Sequence, residues 1–245
     1  MARIIVKLDI KGENVVKGIH LEGIRQVGAP EQLAEKYYKD KADEIIYLDV
    51  VASLYGRNNL KELVERVSNN IFIPLTVGGG IRSLDDIHTL LRAGADKVAV
   101  NTWLIEHPEF VSQAVKHFGS QCIVGSVHAR RTGKDHWEAL YNYGRDVSGK
   151  DAVKWAVELV NLGVGELLIT SIDQDGTLEG YDCRLIEKIS TRVKVPVIAS
   201  GGAGSLAHVR DVICKGYADA VCLSSALHYN HLTISQIKNF LKKTQ

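Results

Sequence analysis

The sequence predicts an α/β fold, a (β/α)₈ TIM barrel, from three observations. Eight short β-branched runs alternate with stretches of helical period. The alternation fills 245 residues without a linker rich in Pro, Ser or Gly, and this length is typical of such a barrel. Two segments also match at an offset of 122 to 123 residues, which predicts two half-barrels in tandem. We therefore expect residues 1–245 to form a single barrel domain.

The strand candidates are short apolar runs that end at glycine or polar residues. In chain order they are RIIVKLD, EIIYLDV, FIPLTVGG, DKVAVN, CIVGSVH, ELLITSI, PVIASGG and ADAVCLS. The helix candidates are PEQLAEKYYKD, NNLKELVERVSN, SLDDIHTLLRAG, PEFVSQAVKHFG, DAVKWAVELVNLG, DCRLIEKISTRV, SLAHVRDVICKG and ISQIKNFLKKT. Their ends carry prolines in first turns, a capping box and glycine caps, at Pro30, Pro108, Ser83 with Asp86, Gly94 and Gly163.

Composition and charge argue against several classes of partner. Lys and Arg number 30 against 29 Asp and Glu, so the net charge gives no reason to expect nucleic acid or a membrane surface. The N-terminal apolar run carries charges at Arg3, Lys7 and Asp9, which fits neither a signal peptide nor a membrane span. We expect a cytoplasmic protein with no membrane and no nucleic-acid partner.

The cysteines and histidines give no evidence of a metal site. The four cysteines show neither a CxxC pair nor zinc-site spacing, at Cys122, Cys183, Cys214 and Cys222. Free thiols in a reduced compartment are the expected state. His107, His117 and His136 lie at helix or loop positions without ligand spacing. We predict no metal and no cofactor.

Glycine-rich turns follow the third and seventh predicted strands, at residues 77–80 and 200–204. Active sites of these barrels lie at the C-terminal ends of the strands. Glycine lets backbone N–H groups approach an anion, and a helix N-terminus favours negative charge. Asn101 with Thr102, and Ser224 with Ser225, add hydroxyl and amide donors beside the turns. The doubled pattern predicts two phosphate sites across the mouth; the alternative is that the glycines serve turn geometry alone.

Charged residues begin several strands on the parity that points into the barrel. Two cations and two carboxylates share this level: Arg3, Glu44, Lys97 and Glu166. Buried charges must be paired, so we expect a ring of alternating charge at the floor, which could also be a purely structural ion cluster. Near the opposite end of the barrel, the repeat places His128 half a turn away from Asp9.

At these residues the chain resembles the cyclase subunit of imidazole glycerol phosphate synthase, the HisF-type barrel, over essentially its whole length. The matching stretches are VVKG, YLDVVAS, FIPLTVGGGIRS, AGADKVAVNT, FGSQCIV, LLITSIDQDGT, GYD, PVIASGGAG and ADAVCLSSALH. The resemblance implies a barrel that takes ammonia from a glutaminase subunit docked under its floor. It also implies a substrate with two phosphates at the mouth, converted by ring closure into imidazole glycerol phosphate and a carboxamide ribotide.

The resemblance also implies roles for individual residues. The floor ring would be the ammonia gate, and Asp96 would contact the glutaminase. One phosphate would bind at Gly80, Asn101 and Thr102, and the other at Gly202, Ser224 and Ser225. Asp9 matches one catalytic aspartate, and substrate-proximal positions are matched by Lys17, Asp49, Thr170 and Asp175.

Three features depart from the family pattern. His128 stands where the family has its second catalytic aspartate; it can move protons but cannot supply a fixed negative charge. Lys7 occupies an inward position that the family usually fills with a small uncharged residue, and pairing with Asp9 would make that carboxylate a poorer base. The loop at residues 18–23 also differs from the cyclase's usual sequence.

Two alternatives to the cyclase remain open at this point. The first is a paralogue similar to the barrels associated with acetamidino modification of surface sugars, such as those of lipopolysaccharide. There the barrel and its glutaminase would supply ammonia to a separate amidotransferase. The second is the sister phosphoribosyl isomerase of histidine synthesis, which shares the repeat and both phosphate sites but uses no ammonia, so the floor ring argues against it.

Overall fold

A computed structural model describes residues 2–52 and 60–244 of the chain. Residues 58 and 59 of the second helix candidate, Ser53 of the motif YLDVVAS and the terminal Gln245 lie outside the described residues. Within those ranges the strands are β1 Arg3–Lys11, β2 Asn14–Ile19, β3 Glu22–Gly28, β4 Glu44–Asp49, β5 Leu75–Gly78, β6 Lys97–Val100, β7 Ile123–Gly133, β8 His136–Tyr141, β9 Asp146–Asp151, β10 Glu166–Ser171, β11 Val197–Ser200 and β12 Ala220–Leu223.

Eight of these strands form a closed parallel barrel. They follow one another in the order β1, β4, β5, β6, β7, β10, β11 and β12, and β12 pairs in parallel with β1 to close the ring. Each barrel strand corresponds to one of the eight predicted runs, because β-branched residues suit a strand that is buried on both faces. The closed barrel with helices between its strands confirms the predicted fold class.

Helices lie between the barrel strands and pack on their outer faces. The described helices are α1 Pro30–Lys39, α2 Lys61–Ser68, α3 Leu84–Arg92, α4 Thr102–Glu106, α5 Phe110–Phe118, α6 Ala152–Leu162, α7 Cys183–Ser190, α8 Leu206–Cys214, α9 Ser225–His228 and α10 Ile234–Thr244. Pro30 lies in the first turn of α1, and Ser83 with Asp86 forms the predicted capping box. The prediction for Pro108 was wrong, because a turn separates it from α5, which begins two residues later.

Two antiparallel excursions extend the barrel at its mouth, and sequence patterning did not reveal them. After β1 the chain forms the β2–β3 hairpin, and after the long β7 it forms β8 and β9. The segment 18–23, expected to be a loop, is the turn of the first hairpin with parts of both its strands. Both excursions begin at equivalent places, where Asp9 pairs with Val16 and His128 pairs with Leu140. This agreement supports the predicted half-barrel repeat.

The hydrophobic core has two layers. The larger lies between strands and helices, and the smaller fills the barrel interior with Ile5, Ile46, Leu48, Ala99, Val124, Leu168, Ile198, Ala220 and Cys222. Burial of this apolar surface drives closure of the barrel. The inner layer separates the charged residues of the floor from the polar residues of the mouth. None of the helices in the described ranges could cross a bilayer, since the longest have 11 residues.

Candidate active site

The floor ring, defined as Arg3, Glu44, Lys97 and Glu166, is a closed circuit of ion pairs. Arg3 Nη1 lies 2.9 Å from Glu44 Oε2, and Arg3 also pairs with Glu166. Lys97 Nζ lies 2.7 Å from Glu44 Oε1 and 2.7 Å from Glu166 Oε2. Each buried carboxylate therefore contacts both cations, which offsets the cost of removing it from water. The side chains converge at the floor in the way their strand positions predict.

Asp96, the expected partner contact, is exposed beside Lys97 at the floor. Its Oδ2 accepts a hydrogen bond from the backbone N–H of Leu75 at 2.8 Å. Asp219 makes the repeat-related contact, accepting from the N–H of Val197 at 2.9 Å. Both carboxylates thus hold the start of a neighbouring strand. Asp96 has a structural contact in addition to any contact with a partner.

Both glycine turns lie at the mouth and share an unusual backbone. Gly79 and Gly80 have φ of 110° and 72°, and Gly201 and Gly202 have φ of 97° and 100°. Residues with side chains rarely adopt these angles, and a Cβ on Gly202 would collide with the carbonyl oxygen of Gly180. The turns therefore require glycine on conformational grounds.

Asn101 and Ser224 adopt matching conformations before the short helices α4 and α9. Their φ and ψ angles are −123° and −78° for Asn101, and −135° and −86° for Ser224. The sequence predicts that their side chains donate to a ligand, but in the structure these donors are used within the protein. Asn101 Nδ2 donates to the carbonyl oxygens of Ser126 and Leu140, at 2.9 and 3.3 Å. Ser224 Oγ donates to the carbonyl oxygen of Lys7 at 2.6 Å.

The hydroxyl residues Thr102 and Ser225 follow directly and begin α4 and α9. Thr102 Oγ1 accepts a hydrogen bond from the backbone N–H of Asn142 at 3.1 Å, and an accepting hydroxyl keeps its own proton to donate. These two hydroxyls are therefore donors that the turn regions can offer an anion, in addition to backbone N–H groups and the cationic side chains nearby.

Four buried charges form the central cluster: Lys7, Asp9, Lys17 and Asp175. Lys17 Nζ lies 2.5 Å from Asp175 Oδ1 and 3.4 Å from Asp9 Oδ2. Lys7 Nζ lies 3.5 Å from Asp175 Oδ2 and 3.7 Å from Asp9 Oδ1. All four residues are at most 3% exposed. The predicted contact between Lys7 and Asp9 is present, and the cluster as a whole is neutral.

The cluster keeps its charges because its members compensate one another. Burial alone would lower the pKa of Lys7, but the carboxylates of Asp9 and Asp175 outweigh that penalty and raise it above its ordinary value. Burial alone would raise the pKa of Asp175, but Lys17 and Lys7 reverse this and lower it. Lys7 is consequently a cation, and Asp175 an anion, at neutral pH.

His128 lies at the repeat-related position to Asp9 in a different environment. The residue is 5% exposed, and its ring lies nearly perpendicular to the ring of Tyr143, with the ring centroids 6.0 Å apart. Burial, helped by the charge of Lys7, lowers the pKa of His128 to about 4. Within the described ranges its Nδ1 has no hydrogen-bond partner. The imidazole is therefore neutral at physiological pH and can accept or donate a proton without carrying a fixed charge.

The other expected substrate-proximal residues also lie at the mouth. Asp49 Oδ1 accepts hydrogen bonds from the backbone N–H groups of Val51 and Ala52, each at 2.9 Å. Thr170 is buried in β10 and pairs in register with His128. Together with Lys17 and Asp175, these positions converge at the mouth as the resemblance implies.

Within the described ranges, each glycine turn lines a cavity, and the two cavities differ in size. The first is about 280 Å³, and its lining includes Gly79, Gly80, Asn101, Thr102, Ser126, His128 and Tyr143. The second is about 20 Å³, and its lining includes Lys7, Lys17, Asp175, Gly201, Gly202, Ser224 and Ser225. We call the regions around them the first half and the second half of the mouth. Within the described ranges no three His, Cys, Asp or Glu side chains are grouped as metal ligands.

Residues from the second excursion also line the first half, and sequence reasoning missed them. Asn142 and Tyr143 belong to the turn between β8 and β9, and both have positive φ. The segment YNYGR carries asparagine and glycine, which are typical turn residues. Reading those residues as a turn between two strands that follow β7 would have placed them at the mouth.

The fold and the site define a (β/α)₈ barrel with paired glycine turns at its mouth and a charged ring at its floor. The chain belongs to the histidine biosynthesis protein family, whose model matches residues 3–233. It is 54% identical over 204 residues to the imidazole glycerol phosphate synthase subunit HisF of Legionella pneumophila, covering 83% of this chain and 96% of the relative.

Two further HisF subunits of imidazole glycerol phosphate synthase are similar over greater lengths. That of Bacillus cereus strain G9842 is 46% identical over 240 residues, covering 98% of this chain and 95% of the relative. That of Thermosynechococcus vestitus is 48% identical over 248 aligned positions, covering 99% and 88%. The family resemblance predicted from the sequence is confirmed.

Proposed function

We propose that this chain is the cyclase subunit of an imidazole glycerol phosphate synthase and acts in histidine biosynthesis. In this proposal a glutaminase subunit binds at the floor, and its ammonia passes through the barrel to a bis-phosphorylated ribotide at the mouth. The observation that carries it is the placement of the floor ring and the paired glycine turns at opposite ends of one apolar interior. The similarity to HisF subunits supports the same reaction.

The floor ring acts as the ammonia gate in this proposal. Arg3 is its most exposed member, with 35% of its side chain accessible, so it can move with the smallest loss of packing. A neutral ammonia molecule can then enter an interior lined by apolar side chains without carrying charge into them. Asp96, exposed at the same end, contacts the glutaminase.

Ring closure at the mouth needs a ligand fixed at both ends and groups that move protons. One phosphate binds at Gly80 and Thr102 and at the backbone of Asn101, and the other binds at the equivalent Gly202 and Ser225 and at the backbone of Ser224. Ammonia condenses with the substrate carbonyl, the imidazole ring closes, and a carboxamide ribotide leaves. Asp9 is the leading proton-transfer group and His128 the second. The orienting side chains are Lys17, Asp49, Thr170 and Asp175.

A second candidate function is supported by the central cluster and by His128. Asp9 is in contact with two ammonium groups, and its repeat-related partner is a neutral imidazole instead of a carboxylate. A barrel that only passes ammonia to a separate amidotransferase, as in acetamidino modification of a surface sugar, needs the floor ring but no pair of proton-transfer carboxylates. The near-neutral net charge and the four free thiols suit either role in the cytoplasm, as one domain over residues 1–245.

One experiment separates the two candidates. The purified chain is given an ammonium salt and the bis-phosphorylated precursor of imidazole glycerol phosphate, so that no glutaminase is needed. The cyclase proposal predicts turnover in the ordinary enzyme range of about 1 to 10³ per second. Bound precursor without product would overturn it and favour the supply role.

A further inference from the structure

Lys7 lies in the second half of the mouth at the position that Ser126 occupies in the first. The two residues stand two places before Asp9 and His128 on the equivalent strands β1 and β7. Ser126 lines the first cavity, and Lys7 lines the second. The repeat therefore presents a small neutral side chain to one glycine turn and a buried ammonium to the other.

The ammonium of Lys7 has hydrogen-bonding capacity left over. Its contacts with Asp175 and Asp9, at 3.5 and 3.7 Å, are longer than the roughly 2.7–2.9 Å of a charge-assisted hydrogen bond. Lys17, by contrast, makes a 2.5 Å contact with Asp175. An ammonium carries three N–H donors, so Lys7 can turn at least one towards the cavity it lines while its charge stays balanced.

In the second half, the side-chain hydroxyl of Ser224 is not available to donate to a ligand. The hydroxyl of Ser224 is used on the carbonyl oxygen of Lys7, at 2.6 Å. Beyond backbone N–H groups, the hydroxyls of Ser200 and Ser225 and the thiol of Cys222, the donors lining this cavity are the two buried lysines, which are its only cations among the described residues. An anion here thus meets two ammonium groups and one carboxylate, whereas the charged residues that line the first half are one cation, Arg82, and two carboxylates, Asp49 and Glu106.

We propose that Lys7 binds the ligand directly, holding one phosphate of a bis-phosphorylated substrate in the second half of the mouth. The choice of phosphate rests on the proposed function. Lys7 thereby makes the two phosphate sites chemically unequal and fixes which end of the ligand enters which half. The phosphate beside Lys7 meets two ammonium groups, whereas a phosphate in the first half meets a lining with the single cation Arg82.

Inorganic phosphate titrated into the ¹⁵N-labelled chain tests this, because amide resonances report each half separately. Gly80 and Thr102 report the first half, and Gly202 and Ser225 the second. In Lys7→Gln we expect half-saturation of the second-half signals at about tenfold or more higher phosphate, since a charge-assisted hydrogen bond is lost. The first-half signals should keep their wild-type curve. Lys7→Arg, which retains the charge, should stay within about threefold of wild type.

Two further variants distinguish a selective loss of phosphate binding from a general disruption of the structure. Lys7→Gln combined with Asp175→Asn keeps the central cluster neutral and should show the same selective weakening. Ser126→Ala is the matched control on the equivalent strand and should leave the second-half curve unchanged. Equal weakening in both halves, an unchanged second-half curve in Lys7→Gln, or no phosphate response at Gly202 and Ser225 in the wild type would overturn the assignment. The measurement needs neither glutaminase nor turnover, so its failure is distinct from failure of the proposed cyclase reaction.

Discussion

The two halves of the mouth share a backbone and differ in charge. Their glycine turns have similar left-handed angles, and the residues before α4 and α9 have nearly the same φ and ψ. The difference lies on β1 and β7, where Lys7 and Asp9 on one side face Ser126 and His128 on the other. The repeat therefore keeps the same backbone at both glycine turns, while two inward-facing positions give each half different charged or polar side chains.

The difference also determines how much space each half offers. The first half encloses about 280 Å³ around a neutral imidazole, and the second only about 20 Å³ beside paired charges. A buried ion cluster resists rearrangement, because moving one member leaves its partner unpaired. The first half thus suits the bulk of a ligand, and the second a single anionic group.

The largest expected effect concerns proton transfer by the two strand-end residues. In the ammonium-driven reaction, Asp9→Asn should lower kcat by about 10² to 10⁴, the usual contribution of a general acid or base. His128→Gln should lower it by about tenfold, because a neutral imidazole supplies only a secondary proton path. Steady-state rates of the two variants measure this difference. A larger loss in His128→Gln than in Asp9→Asn would reverse the assignment of the leading group.

A second effect concerns the stability contributed by the central cluster in the second half of the mouth. Lys7→Met removes one cation from a buried neutral cluster and should lower the free energy of unfolding by about 3 kcal/mol. Urea denaturation measures it, and Ser126→Ala, the change at the equivalent position, should cost less than about 1 kcal/mol. Adding Asp175→Asn to Lys7→Met should restore part of the loss. Additive losses in the double variant would show that the four charges do not act as a cluster.

In the first half, the buried His128 should make the free energy of unfolding depend on pH. The pKa of His128 is lowered to about 4, from 6.5. Between pH 6.5 and 4, therefore, the imidazole is protonated in the unfolded chain but not in the folded chain. The unfolded state is thus favoured as pH falls, and His128 contributes a loss of about 3 kcal/mol between pH 6.5 and 4. His228, whose pKa burial also lowers to about 4, adds a similar slope. Urea denaturation of His128→Gln should show a shallower decline than wild type; identical declines would contradict a buried neutral His128.

The smallest effect concerns thiol reactivity in the two halves. Burial raises the pKa of Cys222 to about 12, so iodoacetamide should leave this residue unmodified in the native chain while the exposed Cys214 reacts. Ala99 stands at the repeat-related position and lines the larger first cavity. A thiol introduced by Ala99→Cys should react faster than Cys222. Mass spectrometry of native digests measures both, and equal protection would mean that the first cavity is closed to small reagents.

Much of the fold and site follows from the sequence because the signals are local or repeated. The barrel strands are β-branched runs, and the floor ring follows from strand parity, since Arg3 and Lys97 begin their strands on the inward side. The sequence pattern does not predict the two excursions, because β3 and β9 are polar and largely exposed and contain no apolar run.

Contacts between distant residues account for the rest of what the sequence could not supply. Lys17 and Asp175 are 158 positions apart, and only the closed barrel brings them to 2.5 Å. The sequence predicts that the side chain of Asn101 is available to a ligand, but the carbonyl oxygens of β7 and β8 accept hydrogen bonds from its amide N–H groups. The local sequence pattern predicts the position of a residue in its strand or turn, whereas tertiary packing determines which partner its side chain contacts.

The most direct test of the account compares two nitrogen sources in one variant. Arg3→Ala opens the floor ring without touching the mouth, so it should change glutamine-driven turnover with the glutaminase subunit by about tenfold or more. Ammonium-driven turnover should stay within about threefold of wild type, because dissolved ammonia can reach the mouth from solvent. Equal changes with both nitrogen sources would contradict passage of ammonia from the floor ring to the mouth.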